Sequence, residues 1–204
     1  AKEFVDFLSA GGFSYWQVLP FGLVDECNSP YKSYSTFGGN PYFVDLEILF
    51  EKGLLTADEL NGAKQSTPYY CEFDKLTADR VALLINASKR VDSETREKIN
   101  AFINLNRHLK DFCVFMALKN ANEDKEWTEW DKTDYDEEIL FGWRFIQYEF
   151  FTQWQKVKEY ANSKGIGIIG DIPIYVSFDS SDVYFNRHLF MMNDENKLTD
   201  VAGV

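Results

Sequence analysis

Apolar residues near the start of the chain change their spacing once, from a helical pattern to a strand pattern. Phe4, Val5 and Leu8 recur every three or four residues, which predicts a helix, and two glycines at 11 and 12 supply its C-terminal cap. The stretch SYWQVL then has the composition of a strand, which Pro20 stops. This part of the chain therefore predicts a helix, a tight turn and a strand.

The same order of elements recurs in the last third of the chain. An apolar face at helical spacing is formed by Ile146, Phe150, Trp154, Val157 and Ala161. Lys164-Gly165 closes this helix, and IGIIGD follows as a buried strand that we end near Asp171, because Pro173 disrupts a hydrogen-bond ladder. Two helix-to-strand units predict an α/β architecture with a parallel sheet.

A long segment separates the two predicted strands. A βαβ crossover needs only about a dozen residues, so the stretch from Pro20 to Gly165 predicts an insertion. Three helices are expected in it: TADELNGA capped by Thr56, LTADRVALLINASKR beginning at Thr77, and one long helix from Ser93, its N-cap, through VFMALKN. The last has one apolar face, formed by Ile99, Phe102, Ile103, Leu109, Phe112 and Met116.

Composition and charge narrow the classes of function. The 204 residues carry a formal charge of -12, which disfavours nucleic acid and anionic membrane surfaces as partners. Cys27, Cys71 and Cys113 are an odd number without metal-ligand spacing, so reduced thiols in a cytoplasmic protein are expected. The acidic stretch at 122–138 is expected to be a solvated loop held by Trp127 and Trp130, with a sugar or cation surface as the alternative.

No catalytic or metal-binding motif stands out in the sequence. It lacks GxSxG, a Walker loop and GxGxxG, and neither His108 nor His188 has a second metal ligand at helical spacing. The DSSD stretch at 179–182 predicts the N-terminal cap of a short helix through DVYFN. The sequence therefore predicts no metal site.

Two places remain as candidates for a binding site. SPYKSYSTFGGNPYF, residues 29 to 43, follows the first predicted strand and combines aromatic faces with the neutral polar groups of Ser29, Ser33, Ser35 and Asn40, a combination that suits a carbohydrate. Asp171 ends the second strand within an apolar run. Carboxyl ends of parallel strands face the ligand crevice, so the two places should converge. An ordinary surface loop and a structural carboxylate remain the alternatives.

At these residues the chain resembles a known family. SYWQVLPFG, SPYKSYSTFGGNPYFVDLEIL, FIQYEFFTQWQKVKEYANSKGI, IIGDIPIYVSFDSSDVYFN and the final VAGV are similar, in order and approximate spacing, to the 4-alpha-glucanotransferases of glycoside hydrolase family 77, called amylomaltase or disproportionating enzyme. The similarity covers nearly the whole chain. It implies α-1,4-glucans and maltooligosaccharides as ligands, and no metal or organic cofactor.

The resemblance also implies a fold and a division of the chain. The fold is a portion of a (β/α)8 TIM barrel, about two strands, with a large inserted helical subdomain. Residues 1–50 would hold a barrel helix, a strand and the substrate loop, residues 51–137 the inserted subdomain, and residues 138–204 the next barrel helix, strand and loop. Because the chain begins without Met and ends at Val204 without a closing element, we expect it to be part of a longer protein.

Site residues follow from the matching motifs. Ser29 and Tyr31 of SPY and Asp171 of GDIPIYV correspond to positions lining the sugar cleft, with Tyr175 a weaker candidate. The family's three catalytic acids come from later strands, beyond Val204, so this chain would contain no catalytic residue. Glu26 stands where some relatives carry an aromatic of a secondary glucan site. The alternatives are a non-catalytic glucan-binding module or regulator and a hydrolase of the α-amylase type.

Overall fold

A computed structural model describes residues 1–24 and 28–200, apart from the side chain of Ala78. Its elements are, in chain order, α1 (Lys2–Ala10), β1 (Tyr15–Gln17), α2 (Leu46–Glu51), α3 (Ala57–Gly62), α4 (Phe73–Ser88), α5 (Ser93–Leu105), α6 (Arg107–Ala121), α7 (Glu137–Ser163), β2 (Gly167–Ile169) and α8 (Ser181–Phe185). Short 3₁₀ turns occur at Pro41–Phe43, Trp127–Glu129 and Arg187–Leu189. None of the helices in this part of the chain is long and apolar enough to cross a membrane.

The two strands pair in parallel, as the repeated helix-to-strand order predicts. Tyr15 lies opposite Gly167 and Gln17 opposite Ile169, and one further bond runs from the Val18 amide to the Ile169 carbonyl at 2.9 Å. Each strand has three residues, so the six-residue strands expected from SYWQVL and IGIIGD are too long. The ladder ends soon after Val18, because Pro20 has no amide hydrogen to donate.

Only one face of this sheet is covered by the described residues. A small cluster of Val5, Leu8, Ala161 and Ile166 packs between α1, α7 and the strands, together with the partly buried side chains of Trp16 and Ile168. Strand side chains alternate, so Tyr15, Gln17 and Ile169 point to the other face. Ile169 keeps 47% of its surface exposed there.

We call residues 46–163, between the two strands, the helical region, and they supply most of the larger core. The 27-residue α7 contacts α4, α5 and α6. The largest fully buried side chains of the helical region include Leu84, Ile99, Phe112, Phe115 and Phe145. The apolar face predicted from Ile99 to Met116 thus lies in the core, with Phe102 partly buried.

The expected long helix from Ser93 is wrong in two respects. Asp92 is the N-cap, since its carboxylate accepts a hydrogen bond from the Thr95 amide at 2.8 Å. The helix is also broken at Asn106, which leaves helical geometry and whose side-chain amide donates to the Phe102 carbonyl at 2.7 Å. Asparagine bonds to nearby backbone groups in this way and so competes with a continuous helix.

The predicted start of α4 at Thr77 is wrong, whereas the caps of α3 and α8 are confirmed. α4 begins at Phe73, one turn earlier, because the Glu72 carbonyl already accepts the Leu76 amide at 3.1 Å. Thr56 caps α3 in a capping box, and the hydroxyl of Ser180, in DSSD, caps α8.

The acidic stretch after α6 is held by its two tryptophans, as predicted. Trp127 is buried, and its indole nitrogen donates to the Phe178 carbonyl at 2.8 Å. The indole nitrogen of Trp130 donates to the Lys125 carbonyl at 2.9 Å. The stretch is therefore a loop pinned to its surroundings.

Candidate functional site

The segments that leave the carboxyl ends of β1 and β2 meet at one edge of the sheet. The phenol of Tyr31, in the first segment, donates a hydrogen bond of 2.7 Å to the Oδ2 atom of Asp171, in the second. The Ser29 hydroxyl oxygen accepts a bond of 3.3 Å from the Tyr31 amide. The structure thus brings together three of the four predicted site residues, as expected from the parallel sheet.

Tyr175 does not share these contacts. Its side chain is 57% exposed, and among the described residues it makes no hydrogen bond or ring contact. It lies four residues after Asp171 on the same segment, outside the contact between Tyr31 and Asp171.

The Tyr31–Asp171 pair has a defined electrostatic state. The hydrogen bond to Asp171 raises the pKa of the Tyr31 phenol above its ordinary value, because loss of the proton would place two negative charges side by side. The second carboxylate oxygen accepts the Ile172 amide at 2.8 Å. The phenol therefore stays protonated at neutral pH, and both oxygens of Asp171 are held in place while they retain unused lone pairs for a ligand.

Three polar residues that the sequence offered as sugar contacts are used inside the loop instead. The buried Ser33 donates to the Ser35 carbonyl at 2.9 Å, and the buried Ser35 hydroxyl accepts from the amides of Phe37 and Gly38, each at 3.1 Å. Asn40 accepts from the Tyr42 amide at 2.9 Å. These side chains hold the loop's shape, because each has a backbone partner within it.

The other aromatic rings of the loop also pack against neighbouring side chains. Lys119 lies over the Tyr34 ring at 4.9 Å, and the Phe37 ring stacks on His108 with centroids 4.1 Å apart. Tyr42 donates to the Thr77 hydroxyl at 3.2 Å. Tyr31 differs from these rings because its hydroxyl reaches across to Asp171 on the segment after β2.

Asp182 is a further residue at this edge that the sequence reasoning missed. Its carboxylate accepts from the Thr36 amide at 2.8 Å, and the neighbouring Ser181 amide donates to the Tyr34 carbonyl at 2.9 Å. The start of α8 thereby clamps the loop after β1. The signal was present in DSSD, whose second aspartate is free to bind another segment because a serine provides the helix cap.

A cavity of about 290 Å³ lies where the two segments meet, and Pro20, Thr36, Gly38 and Asp171 are among its lining residues. No group of three or more His, Cys, Asp and Glu side chains in residues 1–24 and 28–200 could hold a metal ion. Glu26, Cys27 and the VAGV motif lie outside the described residues. What the arrangement provides is an acceptor carboxylate held by two hydrogen bonds, together with exposed aromatic surface at one edge.

Comparison with known proteins gives consistent similarities. A family model described as 4-alpha-glucanotransferase matches residues 1–204. A 4-alpha-glucanotransferase of Clostridium butyricum is 40% identical over 214 residues, which are 96% of this chain and 43% of that protein. One from Streptococcus pneumoniae is 40% identical over 223 residues, covering 100% of this chain and 44% of that protein.

Solved structures agree with the sequence matches. The structure of an amylomaltase from Streptococcus agalactiae in complex with acarbose superposes with a TM-score of 0.83 at 31% identity, covering 95% of this chain and 43% of that one. An amylomaltase from Corynebacterium glutamicum, at 18% identity and a TM-score of 0.74, shares the fold and covers 92% of this chain and 29% of that one. The chain spans less than half the length of the relatives it matches.

Proposed function

We propose that the intact protein transfers segments of α-1,4-glucan between maltooligosaccharides or glucans, because the chain belongs to the 4-alpha-glucanotransferase family. The observation that carries this proposal within the chain is the Tyr31–Asp171 hydrogen bond at the carboxyl edge of the sheet. Ligands of parallel α/β folds bind at that edge.

Ser29, Tyr31 and Asp171 form one wall of the glucan cleft in this proposal, and Tyr175 is a further contact. The Tyr31 ring gives a flat apolar surface for the C–H face of a sugar, and the held Asp171 carboxylate accepts bonds from sugar hydroxyls. Neither residue transfers a proton to the scissile bond. Retaining glycosyl transfer uses a pair of carboxylates about 5 Å apart, and we place that pair in segments outside this chain.

Transfer rather than hydrolysis requires that a glucan hydroxyl reach the glycosyl-enzyme before water does. Acceptor positioning and exclusion of water therefore decide the outcome. Hydrogen bonds of its own serines and of Asp182 on α8 hold this aromatic loop in place, so it is suited to hold an acceptor in one orientation. We assign the loop to positioning of the glucan.

The proposal includes the architecture of the intact protein. The sheet and its helices form a portion of a (β/α)8 barrel, and the helical region forms most of a subdomain inserted between two of its strands. The division at residues 1–50, 51–137 and 138–204 and a cytoplasmic location remain predictions. Two observations support this architecture: β1 and β2 pair in parallel, and the helical region lies between them in the sequence.

The proposed function can be tested in the intact protein with maltotriose as both donor and acceptor. Longer maltooligosaccharides and glucose should appear, and Tyr31→Phe, which keeps the ring and removes only the bond to Asp171, should lower transfer about tenfold. Tyr69→Phe is the control, because Tyr69 is almost fully exposed and its ring has no part in this edge. A wild-type protein that binds maltooligosaccharides without forming longer products would contradict the proposal and indicate a glucan-binding module.

A further inference from the structure

The loop that carries Ser29 and Tyr31 closes on itself at a neck, which we define as residues 21–22 together with 39–40. The Asn40 amide donates to the Phe21 carbonyl at 2.8 Å, and the Asn40 side chain donates to the Gly22 carbonyl at 3.3 Å. Farther from the sheet, Val24 and Ser33 form an antiparallel bridge. Val24 lies two residues after Gly22 and Ser33 two residues after Tyr31, so this bridge links the neck to the segment that carries Tyr31.

One side chain of α7 binds the neck through two hydrogen bonds. The Oε1 atom of Gln147 accepts from the Gly39 amide at 2.7 Å, and its Nε2 atom donates to the Gly39 carbonyl at 3.0 Å. Gln147 is fully buried. A single amide thus satisfies both backbone groups of one residue, as a neighbouring strand would do.

The same helix also fixes the neck by shape. A Cβ atom added to Gly39 would overlap the ring of Phe150, which lies three residues after Gln147 on the same side of α7. Glycine lets the backbone approach the helix closely enough for the amide of Gln147 to reach it. Hydrogen bonding and close contact therefore select one position of the neck along α7.

We propose that Gln147 is a positioning residue, which sets the neck so that Tyr31 meets Asp171 and the glucan acceptor is oriented for transfer. The inference rests on the proposed function, since Gln147 touches neither sugar nor any residue of the cleft wall. Without its amide, the N–H and C=O of Gly39 would be buried without partners, and the neck would shift to find water or other partners. A shift of about 1 Å at a positioning loop can cost up to about a hundredfold in rate.

Gln153 provides a matched control on the same helix. It is also buried, its Oε1 atom accepts from the Asp45 amide at 2.7 Å, and its Nε2 atom donates to Glu149 at 3.2 Å. Asp45 caps α2, so Gln153 holds the helical region rather than the neck. Replacing either glutamine by leucine removes a similar set of hydrogen bonds. Only the change at Gln147 should alter how the acceptor is oriented.

The experiment compares Gln147→Leu and Gln153→Leu in the intact protein. We expect the ratio of transfer to hydrolysis of maltotriose to fall about tenfold in Gln147→Leu and to stay within about twofold of wild type in Gln153→Leu. Both variants should lower the melting temperature. Equal changes in the ratio would overturn the positioning role and leave Gln147 a structural residue.

Gln147→Glu tests the same role if the leucine variant does not fold. A neutral carboxylic acid has one donor and one carbonyl acceptor, as the amide does, whereas a carboxylate cannot donate to the Gly39 carbonyl. Burial raises the pKa of a carboxyl group, so the introduced glutamic acid becomes neutral as the pH falls. The transfer ratio of this variant, divided by that of wild type at each pH, should therefore rise toward one as pH is lowered, and a flat profile would contradict the proposal.

Hydrogen exchange separates the two proposals. If the wild-type protein forms no transfer product, the proposed function fails, and the amides of Gly39 and Asn40 still report on the neck. They should exchange faster in Gln147→Leu than in Gln153→Leu. Equal protection of these amides in the two variants would overturn the role of Gln147 whatever the enzyme does.

Discussion

The helical region and the two-stranded sheet differ in how completely this chain covers them. Phe112, Phe115 and Phe145 are fully buried in a core formed mostly by side chains of the helical region. In the sheet, by contrast, Tyr15 and Ile169 point away from α1 and α7 and remain largely exposed. The core of the first is enclosed by the described residues, whereas the second has a face that they leave open.

The candidate site adjoins the sheet. Asp171 follows the last residue of β2 by two positions and meets Tyr31 beyond the carboxyl end of that strand. The site therefore lies beside the less covered part of the molecule. The difference shows that ligand-binding groups and stabilising core can come from separate parts of one chain.

The largest expected contrast between the two parts is in thiol reactivity. Cys113 lies on α6 and is fully buried, and this burial raises the pKa of its thiol well above the ordinary range. In a Cys27→Ser, Cys71→Ser background, Cys113 should react with a disulfide reagent at least about a thousandfold more slowly than a cysteine introduced as Tyr15→Cys on the open face of the sheet. Similar rates would show that the helical region opens as readily as the sheet.

A smaller contrast is expected in the free energy of unfolding. Phe112→Ala should cost about 3–5 kcal/mol, because it leaves a cavity in the core of the helical region. Ile169→Ala should cost less than about 1 kcal/mol in this chain, since its side chain is 47% exposed. Urea unfolding followed by circular dichroism at 222 nm measures both, with Lys110→Ala on the exposed surface of α6 as a neutral control. Losses of equal size would contradict the difference in burial.

The smallest expected effect concerns the pH dependence of the helical region alone. Arg90 donates two hydrogen bonds to Glu59, at 2.8 and 2.7 Å, which lowers the pKa of that carboxyl from 4.5 to about 2. A lowered pKa stabilises the fold above the unfolded value, and the contribution is lost as pH falls from 4.5 toward about 2. The difference in urea midpoint between wild type and Glu59→Gln should therefore shrink over that interval. A difference in urea midpoint that stays constant with pH would show that the contact between Arg90 and Glu59 does not cause this pH dependence.

Elements that depend on local pattern were predicted well from the sequence. The parallel pairing of β1 with β2, the helix before β2 and the caps at Thr56 and Ser180 all follow from spacing and turn residues. The break at Asn106 was missed because apolar periodicity continues on both sides of it, while the break depends on where one side-chain amide bonds.

The site was predicted in part, for a related reason. Tyr31 and Asp171 were placed together by topology, which the pattern reveals. Composition cannot tell whether a polar side chain is left for a ligand or is already satisfied, and in the structure Ser33, Ser35 and Asn40 bond to the backbone of their own loop. Gln147 carried a usable signal, since it is an amide next to Ile146 on a helix that otherwise buries apolar groups.

The separation of Tyr31 and Asp171 along the chain has a consequence for folding kinetics. Their hydrogen bond joins positions 140 residues apart, so it is a contact of very high contact order. Helices such as α5 and α6 join neighbours and can form before distant segments meet, whereas the strand pair requires the chain between them to close first. Once the helical region has folded, fewer conformations separate the two strands, because β2 directly follows α7 and lies beside β1. The site is therefore among the last features to appear, and its assembly time is set by residues that never contact the ligand.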